Sequence, residues 1–232
     1  MKEEQNNTLF TNWFFQTPIY SIVDESFLSE LLPVTDKIIQ KTIKRDKPKI
    51  KELHNIYGKK IKDHGHVYHS DNLCDLPNFK SIKDRIKQTS ISILDNWGCD
   101  IKEYSMAFTE LWVQEFSRIG GGHHRAHIHW NNHISGFYFL KCSEKTSYPI
   151  FHDPRSGAMM TKLKQKNDAE ITPSSELVHF KPTPGMFIFF PSYLTHEFTV
   201  DNGVDPFQFI HFNLQAVPKY ITNELSSDNL LR

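Results

Sequence analysis

Five histidines fall within eleven positions of the stretch HHRAHIHWNNHISGFYFL, residues 123–140, just ahead of an apolar run. Neutral imidazole is a ligand for iron, copper, zinc and nickel. Side chains at i and i+2 of a strand share a face, so an extended backbone aims His127 and His129 the same way. Two imidazoles on one face can grip one ion, and a third ligand must then come from elsewhere. The later stretch GMFIFFPSYLTHEFTV offers His196, placed after an apolar strand and a Pro-Ser loop. In a closed β architecture that position folds back beside the first pair. His123, His124 and His133 read as loop and turn residues outside such a site.

Something must position these rings, and from Tyr104 onward the pattern is β-like. SMAFTELWVQEF alternates, and ISGFYFLK (134–141), SYPIFH (147–152), ELVHFK (176–181), GMFIFF (185–190), HEFTV (196–200) and FQFIHFNLQAV (207–217) follow at short intervals. The turn signals DPRSG, KPTPG, PS and DNG separate them, which argues for a sandwich or barrel. Trp112 and the phenylalanines at 116, 137, 139, 187, 189 and 190 read as its core. The first hundred residues differ. Apolar spacing predicts a helix over 25–43, interrupted near Pro33, and another over 79–97 ending at Gly98. The lysine-rich span between them reads as a surface loop, with His54, His64, His66 and His69 in solvent. We therefore read one domain: a mostly helical support over 1–103, a β core over 104–217 and a tail over 218–232.

Composition narrows the class. Lys plus Arg equals Asp plus Glu, 27 each, so the formal net charge is zero and no nucleic-acid or membrane partner is expected. The 18 phenylalanines supply a large aromatic core. Cys74, Cys99 and Cys142 are odd in number and lack metal spacing, so no disulfide framework is expected. With a polar start and no long apolar run, the expected location is cytoplasmic. IGGGHH lacks the Lys-Ser/Thr of a phosphate loop.

The ordered set HIHWNNHISGFYFL, FHDPR, PTPGMFIFFPSYLTHEFTV and FQFIHFN resembles the non-haem Fe(II)- and 2-oxoglutarate-dependent oxygenases. The similarity spans about 100–217 and is strongest to a group from marine bacteria and their phages, so the host is expected to be a phage-infected cell. It implies a double-stranded β-helix, a cupin-like jelly-roll barrel with helices outside. It also implies Fe(II), 2-oxoglutarate as co-substrate and O2, with hydroxylation of a C–H bond and release of succinate and CO2. The resemblance places His127 as the first ligand and His196 as the distal one. Most relatives carry a carboxylate where this chain has His129. Either His129 is the third ligand, which its spacing favours, or Asp153 of FHDPR approaches the metal. Three imidazoles leave +2 on the ferrous centre, where two imidazoles and a carboxylate leave +1. The family anchors the far carboxylate of 2-oxoglutarate with an arginine near Gln208, and none stands there. Lys141, with Tyr138 or Ser135 adding a hydrogen bond, is the replacement this reading favours; Arg125 and Arg155 have less positional support. Two other classes stay open: a cupin-like three-histidine dioxygenase that uses no keto acid, and a degenerate module that only binds. The substrate class is a small molecule or peptide, and the helical region offers a surface for a homodimer.

Overall fold

The computed structural model describes residues 10–12 and 14–221, so residues 222–232 of the expected tail lie outside it. Among the described residues the strands are β1 (Tyr20–Val23), β2 (Val67–His69), β3 (Tyr104–Phe116), β4 (His124–His127), β5 (Ile134–Lys141), β6 (Pro149–His152), β7 (Leu177–His179), β8 (Met186–Pro191), β9 (His196–Phe198) and β10 (Gln208–Pro218). They form a six-stranded sheet, β1-β8-β5-β10-β3-β2, and a four-stranded sheet, β4-β9-β6-β7. Every pairing is antiparallel. From β3 to β10 the chain passes back and forth between the sheets, which is the double-stranded β-helix topology.

Side-chain parity builds two cores on the two faces of the larger sheet. Phe137 and Phe139 of β5, Phe190 of β8 and Phe209 of β10 point between the sheets and meet Phe116, Phe151, Phe198 and Phe207. Their neighbours in sequence, among them Tyr138, Phe187, Phe189, Ile210 and Phe212, point outward. Two helices, α1 (Leu28–Tyr57) and α2 (Lys80–Asn96), cover that outer face with Leu31, Ile39, Ile82, Ile86 and Ile93. Phe187 and Phe189 thus belong to the helix–sheet layer, not to the barrel interior assigned from sequence.

Gly136 marks the tightest point of this packing. A Cβ there would lie 2.3 Å from the Ile188 carbonyl oxygen and 2.3 Å from the Phe212 ring. The carbonyl belongs to the β5–β8 pairing and cannot yield cheaply. Gly136→Ala is expected to cost about 3 kcal/mol and to lower Tm by about 6–12 °C, checked by thermal unfolding.

α1 overturns the expected break at Pro33 and the loop beyond residue 43. Each proline inside a helix forfeits a hydrogen bond and costs about 3 kcal/mol, yet the helix runs through Pro33 and Pro48. A buried stripe of Leu31, Thr35, Ile39, Thr42 and Asp46 holds it in place. Asp46 is the anchor: its carboxylate accepts from Arg45 Nε at 3.0 Å and lies 3.1 Å from His66 Nε2. Burial alone would raise its pKa, but those hydrogen bonds and the charges of Arg45 and Lys49 outweigh burial and hold it below its ordinary 3.8. A depressed carboxyl pKa stabilises the fold above the unfolded value, and that contribution is lost as pH falls through the folded one. Urea midpoints measured from about pH 5 down to about pH 3 should therefore fall, and Asp46→Asn should flatten the slope.

Candidate metal centre

The open end of the barrel is where the histidines meet. His127, at the end of β4, and His196, at the start of β9, are directly paired across the smaller sheet. His129 lies beyond the end of β4, so strand alternation does not aim it, contrary to the expectation from spacing. Its backbone N–H donates to the Ser192 carbonyl at 3.0 Å, and Asn131, at φ 59°, turns the chain back toward β5. One ligand nitrogen from each of the three rings can lie within 4.8 Å of the others.

Hydrogen bonds set which nitrogen each ring presents. Nδ1–H of His127 donates to the Arg125 carbonyl at 2.6 Å, and Nδ1–H of His196 donates to the Leu194 carbonyl at 3.0 Å. Both therefore offer an Nε2 lone pair. His129 Nε2 lies 3.2 Å from His196 Nε2. On a common ion with bonds of about 2.1 Å, that separation corresponds to an N–metal–N angle of about 100°. On its other side, His129 Nδ1 lies 3.2 Å from Asn213 Nδ2, which also donates to Glu110. Presenting Nε2 of His129 to a cation requires its proton on Nδ1, with the Asn213 amide turned so that Oδ1 accepts, at the loss of its bond to Glu110. The donor set fits a borderline cation such as Fe(II): uncharged nitrogens at one point, with the remaining positions facing a cavity.

That cavity, about 210 Å³, adds three histidines to the triad: His69 from β2, His124 from β4 and His211 from β10. Trp112, Gln114, Phe137, Phe198 and Phe209 complete its wall. The rings form a continuous stack, His69 on Trp112 (4.5 Å), Trp112 on His211 (4.8 Å) and His211 on His129 (4.5 Å). Burial holds these imidazoles neutral. It pushes His124 and His129 down to about 4 and His69, His196 and His211 below their ordinary 6.5; for all but His69, neighbouring histidines reinforce the shift. Among the described residues no lysine or arginine lines the cavity.

Residues 110–213, from within β3 to within β10, match the family described as "Putative 2OG-Fe(II) oxygenase". Over that stretch the β core is similar to the 2OG-Fe(II) oxygenases. No curated protein matches the chain. Three of the solved structures similar to the chain, all at low identity, are the following. An oxidoreductase of the 2OG-Fe(II) oxygenase family from Burkholderia pseudomallei is 10% identical, with 63% of this chain and 65% of that one covered and a TM-score of 0.44. The chain thus spans 65% of that relative's length. A Pseudomonas putida prolyl-4-hydroxylase is 9% identical, with 84% and 91% covered and a TM-score of 0.49. A Trichoplax adhaerens prolyl hydroxylase, solved with a hypoxia inducible factor peptide fragment, is 12% identical, with 84% and 82% covered and a TM-score of 0.46.

The β core does not bring the expected co-substrate anchors to the histidines. Tyr138 points outward, where its hydroxyl donates to the Asp24 carbonyl at 3.0 Å. Lys141 and Gln208 also face the helical layer. A bulge in the β5–β10 register, at Gln208/Phe209, pairs Lys141 with Gln208 and turns both toward α1. There Lys141 bonds Asp36, and Gln208 bonds Asp36 (3.1 Å), Glu115 (2.7 Å) and Thr35 (3.1 Å). Asp153 is held by Arg155 at 2.7–3.2 Å, and both line a separate cleft against residues 14–19, so neither joins the triad. Ser135 is spent on Ser192 and Asn213, and Arg125 is exposed. Of the rings set aside from sequence, His123 and His133 are exposed, while His69 and His124 line the cavity. His211 was missed, although a histidine two residues after Phe209 in an apolar strand carries the signal.

Among the described residues no helix is long and apolar enough to cross a membrane.

Proposed function

We propose that this protein is an Fe(II)- and 2-oxoglutarate-dependent hydroxylase of a small-molecule or peptide substrate, with His127, His129 and His196 as the metal ligands. The observation that carries this is the convergence of three imidazoles in a core similar to the 2OG-Fe(II) oxygenases. Bound Fe(II) with 2-oxoglutarate supplies the oxidising power to cut a substrate C–H bond, using O2 and releasing succinate and CO2. The protein's part would be to hold the ion through His127, His129 and His196 beside the cavity and to exclude water. Phe137, Phe198 and Phe209 give that cavity an apolar wall.

The charges are consistent with this co-substrate. In the family arrangement a protein carboxylate at the metal is matched by a protein arginine at the far carboxylate. Here both are missing, and the dianion meets the full charge of the divalent ion. The cavity wall without a lysine or arginine also favours a second reading, a three-histidine dioxygenase that needs no keto acid. Anaerobic titration of the Fe(II) protein with 2-oxoglutarate tests the choice. A saturable visible charge-transfer band supports the first reading. No band, with iron retained and oxygen consumed without a keto acid, supports the second.

A further inference from the structure

A buried N–H without a partner is rare in a folded protein and calls for an explanation. Two nitrogens on one wall of the cavity raise that question: Nε1–H of Trp112 and Nδ1 of His211 find no hydrogen-bond partner among the described residues. The residues are directly paired on β3 and β10, and their rings stack at 4.8 Å with an interplanar angle of 21°. His211 is 3% exposed, and its other nitrogen lies 3.1 Å from His129 Nε2, which fixes this wall beside the metal triad. Each of the other two histidines of the wall outside the triad has one nitrogen already engaged. His124 Nε2 bonds Gln114 Oε1 at 2.6 Å, and His69 Nδ1 bonds the Ser70 carbonyl at 2.7 Å. The phenylalanines cannot receive a carboxylate.

Resting on the proposed function, we infer that the far carboxylate of the bound 2-oxo acid is received by neutral N–H donors, Trp112 Nε1 and His211 Nδ1, in place of a side-chain cation. Indole nitrogen is a donor only. Neutral imidazole carries its proton on either nitrogen, and an acceptor placed at Nδ1 selects the Nδ1–H form; Nε2 of His211 is then a lone pair, so its 3.1 Å contact with the metal-facing Nε2 of His129 is given up as a hydrogen bond. Donors without charge recognise a carboxylate by hydrogen bonds alone, so selectivity for a five-carbon diacid over a shorter monoacid rests on these two groups.

The test is anaerobic calorimetric titration of the Fe(II) protein with 2-oxoglutarate and with 2-oxobutanoate, which shares the chelating end and lacks the far carboxylate. Trp112→Phe keeps the ring stack and removes one donor. It should weaken 2-oxoglutarate by about 10- to 100-fold and leave 2-oxobutanoate within about twofold. At 211, Asn places an amide nitrogen near the former Nδ1, whereas Leu offers none. His211→Asn should therefore retain more of the preference for the diacid than His211→Leu. Iron affinity of each variant, measured separately, shows whether the metal site is intact. Unchanged 2-oxoglutarate affinity in an iron-competent Trp112→Phe protein overturns the inference and leaves the proposed function standing. If the iron-loaded wild type binds neither acid, the proposed function falls, and this inference with it.

Discussion

Replacing His196 with alanine is expected to abolish tight Fe(II) binding. The ring is fully buried among Phe137, Phe151 and Phe190, with centroids 5.8, 6.0 and 4.7 Å away. It is also the ligand best fixed in orientation, through its Nδ1–H bond to Leu194. Losing an outer-shell partner costs about 10- to 100-fold in metal affinity, so losing one of three ligands should cost more. Binding to the native state also stabilises it, by about 2.7 kcal/mol at 100 times Kd. Wild type should gain about 5–11 °C in Tm on adding that much Fe(II) or Co(II), and His196→Ala none. His196→Gln fills more of the space and separates the two possible losses. It should restore much of the metal-free stability without restoring the metal response. A metal response in either variant equal to wild type would remove His196 from the ligand set.

The order of the β core was legible in the sequence because its strands are continuous apolar runs punctuated by turn residues. The run read as 134–141 is β5, and that read as 207–217 is β10 to within a residue. Which way each strand faces was not legible, for the same reason. β5 is buried on both faces, so ISGFYFLK has no polar alternation from which to read parity. That is why Tyr138 was taken for a site residue and lies behind the sheet. Lys141 was misplaced by a bulge, which inserts a residue without any signal in composition. The convergence of His127, His129 and His196 was legible, but for partly the wrong reason. A loop, not strand alternation, brings His129 to the others. His69 and His124 were discounted because their surroundings are polar in sequence. Their burial comes from partners distant along the chain: Trp112 beside His69, Gln114 and Phe198 beside His124. The helical support was legible only in part, since propensity places a stop at a proline that tertiary packing overrides.

His129→Asp tests how this centre divides charge between the ion and its ligand. The substitution gives position 129 the carboxylate that the sequence resemblance implies there, and Asn213 Nδ2, now 3.2 Å from the ring, is a donor suited to it. Fe(II) affinity should be kept or improved, because the added ligand is anionic. The 2-oxoglutarate affinity should fall. The centre drops by one positive charge while the cavity wall still offers no lysine or arginine to take the far carboxylate. A unit charge at about 4 Å from the chelating end contributes roughly 1 kcal/mol in a water-like medium and roughly 4 kcal/mol near a protein interior. That predicts a loss of about 5- to 1,000-fold, larger for the dianion than for 2-oxobutanoate. Anaerobic titration of the iron-loaded variant with both acids measures it. Equal weakening of the two would place the effect in metal geometry instead of charge. No weakening of either would mean that the third imidazole does not compensate for the missing arginine.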